Sequence, residues 1–220
     1  MTDTIDDLYD YEVLRGENQA TMFVVSVQRP TLVLGGSQSR DVVDAGRAVS
    51  MPLRRRRGGG GLVLLQPDDL WIDWWIPAND PRWSGDVRRS SLQTGRWWHD
   101  VLAPLVGGVV TVHEGPLVGE LAHRVVCFAG RGPGEVFVDD RKAVGLTQWR
   151  VREGIFLSTV LHAKGSEAVL GLLAEIPRGL GDALDHHTTV SLGIDDLESL
   201  AATLAERSGP WSVRQLILTD

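Results

Sequence analysis

The chain has 220 residues, of which 43% are hydrophobic and 23% are charged. These proportions exclude a disordered chain and allow one large domain, which we expect to span residues 1–220. The net charge of −7 argues against a general binder of nucleic acids or membrane surfaces. Cys127 is the single cysteine, which excludes an intrachain disulfide and a cysteine-built zinc site. The acidic N-terminus lacks signal-peptide character and no apolar run is long enough for a membrane span, so we expect a soluble cytoplasmic protein.

Apolar periodicity and turn residues predict alternating strands and helices along the chain. Strands at 21–27 and 31–34 precede a helix over 40–48, strands at 62–65 and 70–76, and a helix over 86–105. Strands at 109–113, 123–128, 135–138, 142–148 and 155–161 follow, and helices over 166–176 and 195–207 close the chain, the last capped by Asp195. Six of the eight tryptophans fall between Trp71 and Trp98, which favours an aromatic core over a stacking surface. The pattern predicts an α+β domain with a largely antiparallel or mixed sheet flanked by helices.

The most unusual stretch is a run of four arginines and four glycines at residues 54–61, which leads directly into an apolar strand. Such a run is often a solvated linker. Its strand-like flanks favour phosphate or nucleotide contact instead, because glycines let the backbone approach a ligand and guanidinium groups bind phosphate oxygens in pairs. The stretch matches neither the P-loop nor the dinucleotide fingerprint.

Lys142 follows a pair of aspartates at a predicted hairpin. Taken alone, this position favours a lysine that Asp139 and Asp140 balance at the edge of the hairpin. The alternative is an ammonium group directed at a carbonyl or phosphate oxygen.

Considered together, the two stretches resemble one family. The segment Arg-Arg-Gly-Gly-Gly-Gly-Leu-Val at 56–63 and the segment Asp-Arg-Lys-Ala-Val-Gly-Leu-Thr-Gln at 140–148 are similar to two motifs of the biotin/lipoate protein ligase superfamily, closest to lipoate–protein ligase A. Shorter matches at 30–38, 127–128 and 132–136 occur in the same order. The resemblance covers roughly residues 20–165, and it does not include the accessory C-terminal domain of some bacterial ligases.

This resemblance implies the sheet of class II aminoacyl-tRNA synthetases and biotin synthetases. It also implies an ATP-dependent ligase, with Mg²⁺ expected, that activates lipoate or octanoate as acyl-AMP and transfers it to a lysine of a lipoyl-domain protein. Lys142 would be the catalytic centre, and Gly145 and Thr147 would lie at the acyl group. Asp73 could be a polar contact in that pocket or an outward-facing residue. The phosphates and adenylate would contact Arg56, Arg57, Gly59, Gly60, Gly61 and Val63.

Several positions depart from the family pattern. Gly58 replaces a serine or threonine, Leu62 an alanine, Leu65 a histidine and Trp149 an arginine. Two alternatives therefore stay open beside the ligase. One is an ATP-independent octanoyltransferase that carries the acyl group on Cys127, although the apolar neighbours of this cysteine favour a buried, inert thiol. The other is an inactive relative that binds a ligand or nucleic acid, which the net charge opposes.

Overall fold

The computed structural model describes residues 6–162, 167–187 and 196–218. The strands in this part of the chain are β1 (Asp6–Asp7), β2 (Thr21–Val27), β3 (Thr31–Leu34), β4 (Leu53–Arg55), β5 (Val63–Leu65), β6 (Leu70–Pro77), β7 (Val110–Val112), β8 (Val136–Val138), β9 (Arg141–Val151), β10 (Gly154–Leu161) and β11 (Ser212–Leu218). The α-helices are α1 (Tyr11–Arg15), α2 (Val87–Leu102), α3 (Glu120–Val125), α4 (Leu180–His187) and α5 (Leu197–Ser208).

The strands form two sheets. The larger sheet has seven strands in the order β11-β2-β6-β10-β9-β8-β7, and all its pairs are antiparallel except β11 with β2. The smaller sheet has the order β1-β4-β3-β5. This mixed sheet with flanking helices confirms the predicted fold class.

Both faces of the large sheet are covered, so its central strands β6 and β10 are buried along their whole length. One face packs against α2 and α5 through side chains such as Trp74, Trp98 and Leu204. The other face, from Trp71 and Phe156, packs against the small sheet and the segment around Phe128. Alternation along each strand thus sends successive residues to opposite cores, and the tryptophan-rich segment belongs to the core as predicted. No helix in the described part of the chain has the length and apolar character that a membrane span requires.

Two predicted elements are wrong. Residues 123–128 are not a strand: α3 ends at Val125, and a 3₁₀ turn covers Cys127–Ala129. An apolar run this short has no period that separates strand from helix. Residues 40–48 form only a 3₁₀ turn at Arg40–Val42 followed by turns, because the Asp44 carboxylate accepts the backbone N–H groups of Gly46 and Arg47 and so competes with helix formation.

The predicted helices at 166–176 and 195–207 are corrected in part. The first is a 3₁₀ turn at Glu167–Leu172, and the backbone beyond it bonds instead to the 42–44 segment, with Ala174 N–H donating to Val42 O. Ser166 lies outside the described residues. The second helix is α5, whose N-terminus is capped by the carboxylate of Asp196. Asp195, the predicted cap, also lies outside the described residues.

Candidate active site

The arginine–glycine stretch folds back on itself, and its glycine loop (residues 58–61) is held by one buried arginine. Arg56 donates from Nη2 to the carbonyl oxygens of Gly59 and Gly61, each at 2.8 Å, and from Nη1 to Val33 O at 3.2 Å. Its side chain is 2% exposed, and this burial lowers its pKa. In this structure the Arg56 guanidinium therefore shapes the loop from inside.

The glycine loop bends at Gly60, where φ is +86°. A Cβ at Gly60 would lie 3.2 Å from Arg56 Nη2, 3.4 Å from His123 Nε2 and 3.6 Å from Cys127 Sγ. A guanidinium, an imidazole and a thiol therefore converge on a small gap beside Gly60, which a methyl group could enter only if these side chains moved; we call this gap the opening at Gly60. Gly59, by contrast, is exposed, and a Cβ there would have no other atom within 4 Å.

The direction of the Lys142 side chain depends on an irregularity in the β8–β9 hairpin. Val136 lies opposite Val144, whereas the next residue on β8, Phe137, lies opposite Lys142. Ala143 is therefore an extra residue, a β-bulge. Val144 packs in the core shared with α2 and α5, and regular alternation would send Lys142 to that same face. The bulge turns it to the opposite face.

The ammonium group of Lys142 is fully buried in a polar cluster. Nζ lies 2.8 Å from Glu135 Oε2, donates to Cys127 O at 2.8 Å, and is 5.1 Å from the centre of the Phe128 ring. The Glu135 carboxylate also accepts the backbone N–H of Gly132 at 2.6 Å. The ion pair has exposures of 0% and 1%, so the protein fixes a positive charge where solvent does not screen it.

His123 and Cys127 belong to the same cluster, and the sequence analysis did not single out His123. Its Nδ1 is 2.8 Å from Cys127 O, four residues farther along the chain. Burial and the nearby Lys142 charge lower the pKa of His123. Burial raises the pKa of the Cys127 thiol, as its apolar neighbours indicated. The contact is not a helical i, i+4 pair, because α3 ends at Val125 and Val126 is extended, so the spacing of the two residues does not predict it.

The predicted acyl-contact residues of β9 face the glycine loop. Thr147 Oγ1 donates to Gly59 O at 3.1 Å, which ties the loop to the sheet. A Cβ at Gly145 would lie 2.9 Å from the Phe128 ring, so Gly145 makes room for this ring. Between loop and sheet lies a cavity of about 10 Å³, bounded in part by Val63 and Trp71, which is room for about one water molecule.

Asp73 lies on the same face of the sheet and is completely buried, which excludes the outward-facing alternative. Its carboxylate accepts from Tyr9 Oη at 2.7 Å, Trp71 Nε1 at 2.5 Å and Thr159 N–H at 3.3 Å. Burial raises the pKa of Asp73 to about 7 despite these hydrogen bonds. The N-terminal segment thus supplies a wall of this region, through Tyr9 and through Tyr11 beside it.

Arg57 lies at the outer side of the glycine loop. Its guanidinium is half-exposed and pairs with Asp7 at 2.8 Å, while its backbone N–H donates to Tyr11 Oη. The preceding Arg55 donates to the carbonyl oxygens of Gly35, Gly36 and Gln38. Much of the basic run is therefore used to hold the protein together.

Metal binding fits the cluster poorly. The donor atoms of His123, Cys127 and Glu135 lie within 4.8 Å of one another. The Lys142 ammonium already bonds to Glu135, and the Arg56 guanidinium lies at the same opening, so two fixed positive charges oppose a cation there. Among the described residues of this cluster, the Glu135 carboxylate is already paired with Lys142, so the cluster does not fit Mg²⁺.

Comparison with known proteins identifies the fold. No protein-family model and no curated protein sequence matches the chain. Among solved structures, lipoate-protein ligase A bound with ATP superposes with a TM-score of 0.72 at 15% identity, over 96% of this chain and 83% of the other. The chain has the lipoate–protein ligase fold.

Two further structures with this fold come from Thermoplasma acidophilum. One contains bound lipoic acid and has a TM-score of 0.69 at 14% identity, over 95% of this chain and 82% of the other. The second is a bipartite lipoate protein ligase described with its E2 lipoyl domain. It has a TM-score of 0.66 at 16% identity, over 96% of this chain and 81% of the other. They confirm, at the level of the fold, the resemblance that the two sequence motifs indicated.

Proposed function

We propose that the chain is a lipoate–protein ligase-like enzyme that activates lipoate or octanoate with ATP and transfers the acyl group to a lysine of a lipoyl-domain protein. The observation that carries this proposal is the buried Lys142 ammonium, which shares the Cys127 backbone oxygen with His123 next to the glycine loop. Solved proteins with this fold that contain ATP or lipoic acid support it. The ligase paired with an E2 lipoyl domain supports the acceptor.

In the first half-reaction, a carboxylate oxygen of the acid bonds to the α-phosphorus of ATP, and the bond to pyrophosphate breaks. Both reactants are anions, so a positive charge fixed in advance lowers the barrier. Lys142 supplies that charge, and Glu135 and Cys127 O hold the ammonium in place. The adenylate would lie against Gly59, Gly60 and Gly61.

The roles of the two arginines differ in this proposal. Arg56 acts through the shape of the glycine loop, since its donors bind backbone carbonyls. Arg57 is half-exposed: its guanidinium lies over the Tyr11 ring and forms an ion pair with the surface carboxylate of Asp7, which a phosphate could replace. The use of Arg55 and Arg56 inside the fold also weakens the nucleic-acid alternative.

The acyl chain requires the site to open, because a cavity of about 10 Å³ holds no more than a water molecule. The Thr147–Gly59 hydrogen bond is the exposed contact between loop and sheet. We therefore propose that the glycine loop lifts from Thr147 when the acid enters, and that the chain then lies over Gly145 towards Asp73.

Pyrophosphate release tests the proposal. The protein is mixed with ATP and either lipoate, octanoate or biotin, and Lys142→Ala is measured beside it. We expect release with lipoate or octanoate, and a rate lower by about 10²–10³ in the variant. Arg152→Ala is the matched control, because this arginine is 94% exposed. Full activity of a folded Lys142→Ala protein would contradict the assignment.

The octanoyltransferase remains the second candidate, because Cys127 Sγ meets the same opening. The raised thiol pKa opposes the thiolate that this mechanism needs. ATP-independent transfer from an acyl-carrier thioester that disappears in Cys127→Ala would favour the transferase. We expect Cys127→Ala to retain ATP-dependent activity.

A further inference from the structure

We propose that His123 is the general base of the transfer half-reaction, the group that takes a proton from the acceptor lysine as the amide bond forms. This inference rests on the proposed function and adds a residue to it. The two half-reactions differ in their need for such a group. A carboxylate that attacks ATP has no proton to lose, whereas an amine that attacks acyl-AMP must lose one.

The tautomer of His123 follows from its hydrogen bond. Nδ1 lies 2.8 Å from the backbone oxygen of Cys127, and a carbonyl oxygen only accepts, so Nδ1 carries the proton. In the neutral ring Nε2 then holds a lone pair. The ring orientation is fixed by the position of His123 in α3 and by this hydrogen bond to the segment that follows the helix.

The position of the ring suits a base for this step. Nε2 faces the glycine loop, 3.4 Å from the position that a Cβ would take at Gly60, and the adenylate would lie against this loop. His123 Nδ1 and Lys142 Nζ each lie 2.8 Å from the same Cys127 oxygen, so the two nitrogens are no farther apart than these two distances combined. The ring is half-buried, which leaves it within reach of an acceptor lysine that enters from solvent.

The charges around the ring keep it neutral. Desolvation lowers the pKa of His123, and the positive charges of Lys142 and Arg56 lower it further, against an opposing effect of Glu135 and of the Cys127 carbonyl. A neutral imidazole near pH 7 can accept a proton, whereas the Lys142 ammonium cannot. The two residues therefore divide the chemistry between a fixed positive charge and a proton acceptor.

The step balances as follows. The lone pair of the neutral acceptor amine forms the N–C bond to the acyl carbon, and the carbonyl electrons move onto oxygen near the Lys142 ammonium. The N–H of this intermediate becomes acidic, and its proton moves to His123 Nε2. The C–O bond to AMP then breaks, and its electron pair leaves with the phosphate. His123 finally releases the proton to solvent.

The test measures the two half-reactions separately in the variant His123→Asn. The asparagine amide can still donate a hydrogen bond to Cys127 O, but it has no basic nitrogen. Pyrophosphate release from ATP and the acid should stay within about threefold of wild type. Transfer from chemically prepared acyl-AMP to an acceptor lysine should fall by about 10²–10⁴. The acid limb of the wild-type pH profile for transfer, where protonation of His123 stops the reaction, should disappear.

His123→Ala with added imidazole provides the second measurement, and restored transfer is expected. His113→Asn is the matched control, because His113 is also half-buried, contacts a backbone oxygen (Pro116 O, 2.8 Å) and packs against the Phe137 ring outside the Lys142 cluster. Unchanged transfer in His123→Asn, or an equal loss in both half-reactions without imidazole rescue, overturns the proposal. If the wild type releases no pyrophosphate yet transfers from prepared acyl-AMP through His123, the proposed activation fails and the base assignment stands.

Discussion

Replacing Lys142 with methionine removes the ammonium group while keeping an unbranched apolar side chain of similar length. Glu135 then loses its partner at 2.8 Å while remaining 1% exposed. Breaking a buried ion pair from one side costs about 3–5 kcal/mol. Glu135 keeps its backbone N–H donor at Gly132, so we expect a loss near the lower end, about 3 kcal/mol of unfolding free energy.

Urea unfolding of four proteins measures this effect: the wild type, Lys142→Met, Glu135→Gln and the double variant. Each single variant leaves one buried group without its partner, whereas the double variant removes both charges. We expect the double variant to lose at least about 1 kcal/mol less than the sum of the single losses. Strict additivity, or a loss below about 0.5 kcal/mol in Lys142→Met, would refute a fixed buried pair. Arg152→Ala, at an exposed turn, should stay within about 0.5 kcal/mol of wild type.

Three further outcomes are expected. Gly60→Ala should destabilise the protein by about 1–2 kcal/mol and reduce pyrophosphate release, because φ at this position is +86° and the alanine Cβ would fill the opening. The control Gly59→Ala should leave the free energy of unfolding in urea nearly unchanged. Gly145→Ala should cost about 1–3 kcal/mol in the same assay, since its Cβ would press on the Phe128 ring. Burial raises the pKa of Asp73 from 3.8 to about 7, so between these pH values the folded state holds a proton that the unfolded state releases. The free energy of unfolding should therefore fall as pH rises from about 4 to 7, by up to about 1.4 kcal/mol per pH unit. Asp73→Asn should lose this slope, and an unchanged slope would show that other groups cause it.

Much of the large sheet could be predicted from sequence because its strands have a strong local signal. The β-branched and aromatic runs that became β2, β6 and β10 are long, apolar and bounded by turn residues. The edge strand β11 was missed, since its alternating exposed residues resemble an ordinary surface segment. Strand β4 was missed because two of its three residues are arginines, which are not the β-branched or aromatic residues that indicate a strand.

The candidate site was only partly predictable, because its geometry depends on distant contacts. The glycine loop and Lys142 stand out as motifs. The β-bulge at Ala143, which decides the face that Lys142 occupies, has no local sequence signal. Likewise, Arg56 is buried because three backbone carbonyl groups from two segments accept its hydrogen bonds. The spacing of residues in the sequence does not predict such partners.

The N-terminal segment has a practical consequence for anyone who trims the chain to its recognisable motifs. A variant that lacks residues 1–15 would still contain the glycine loop, Lys142 and every strand of the large sheet. The Asp73 carboxylate would nevertheless lose the hydrogen bond from Tyr9, and water could reach the region around Asp73 that Tyr9 covers. Truncated variants that keep both sequence motifs should therefore be checked for water in the core, for example by tryptophan emission. Only then can a loss of activity be assigned to a missing catalytic group.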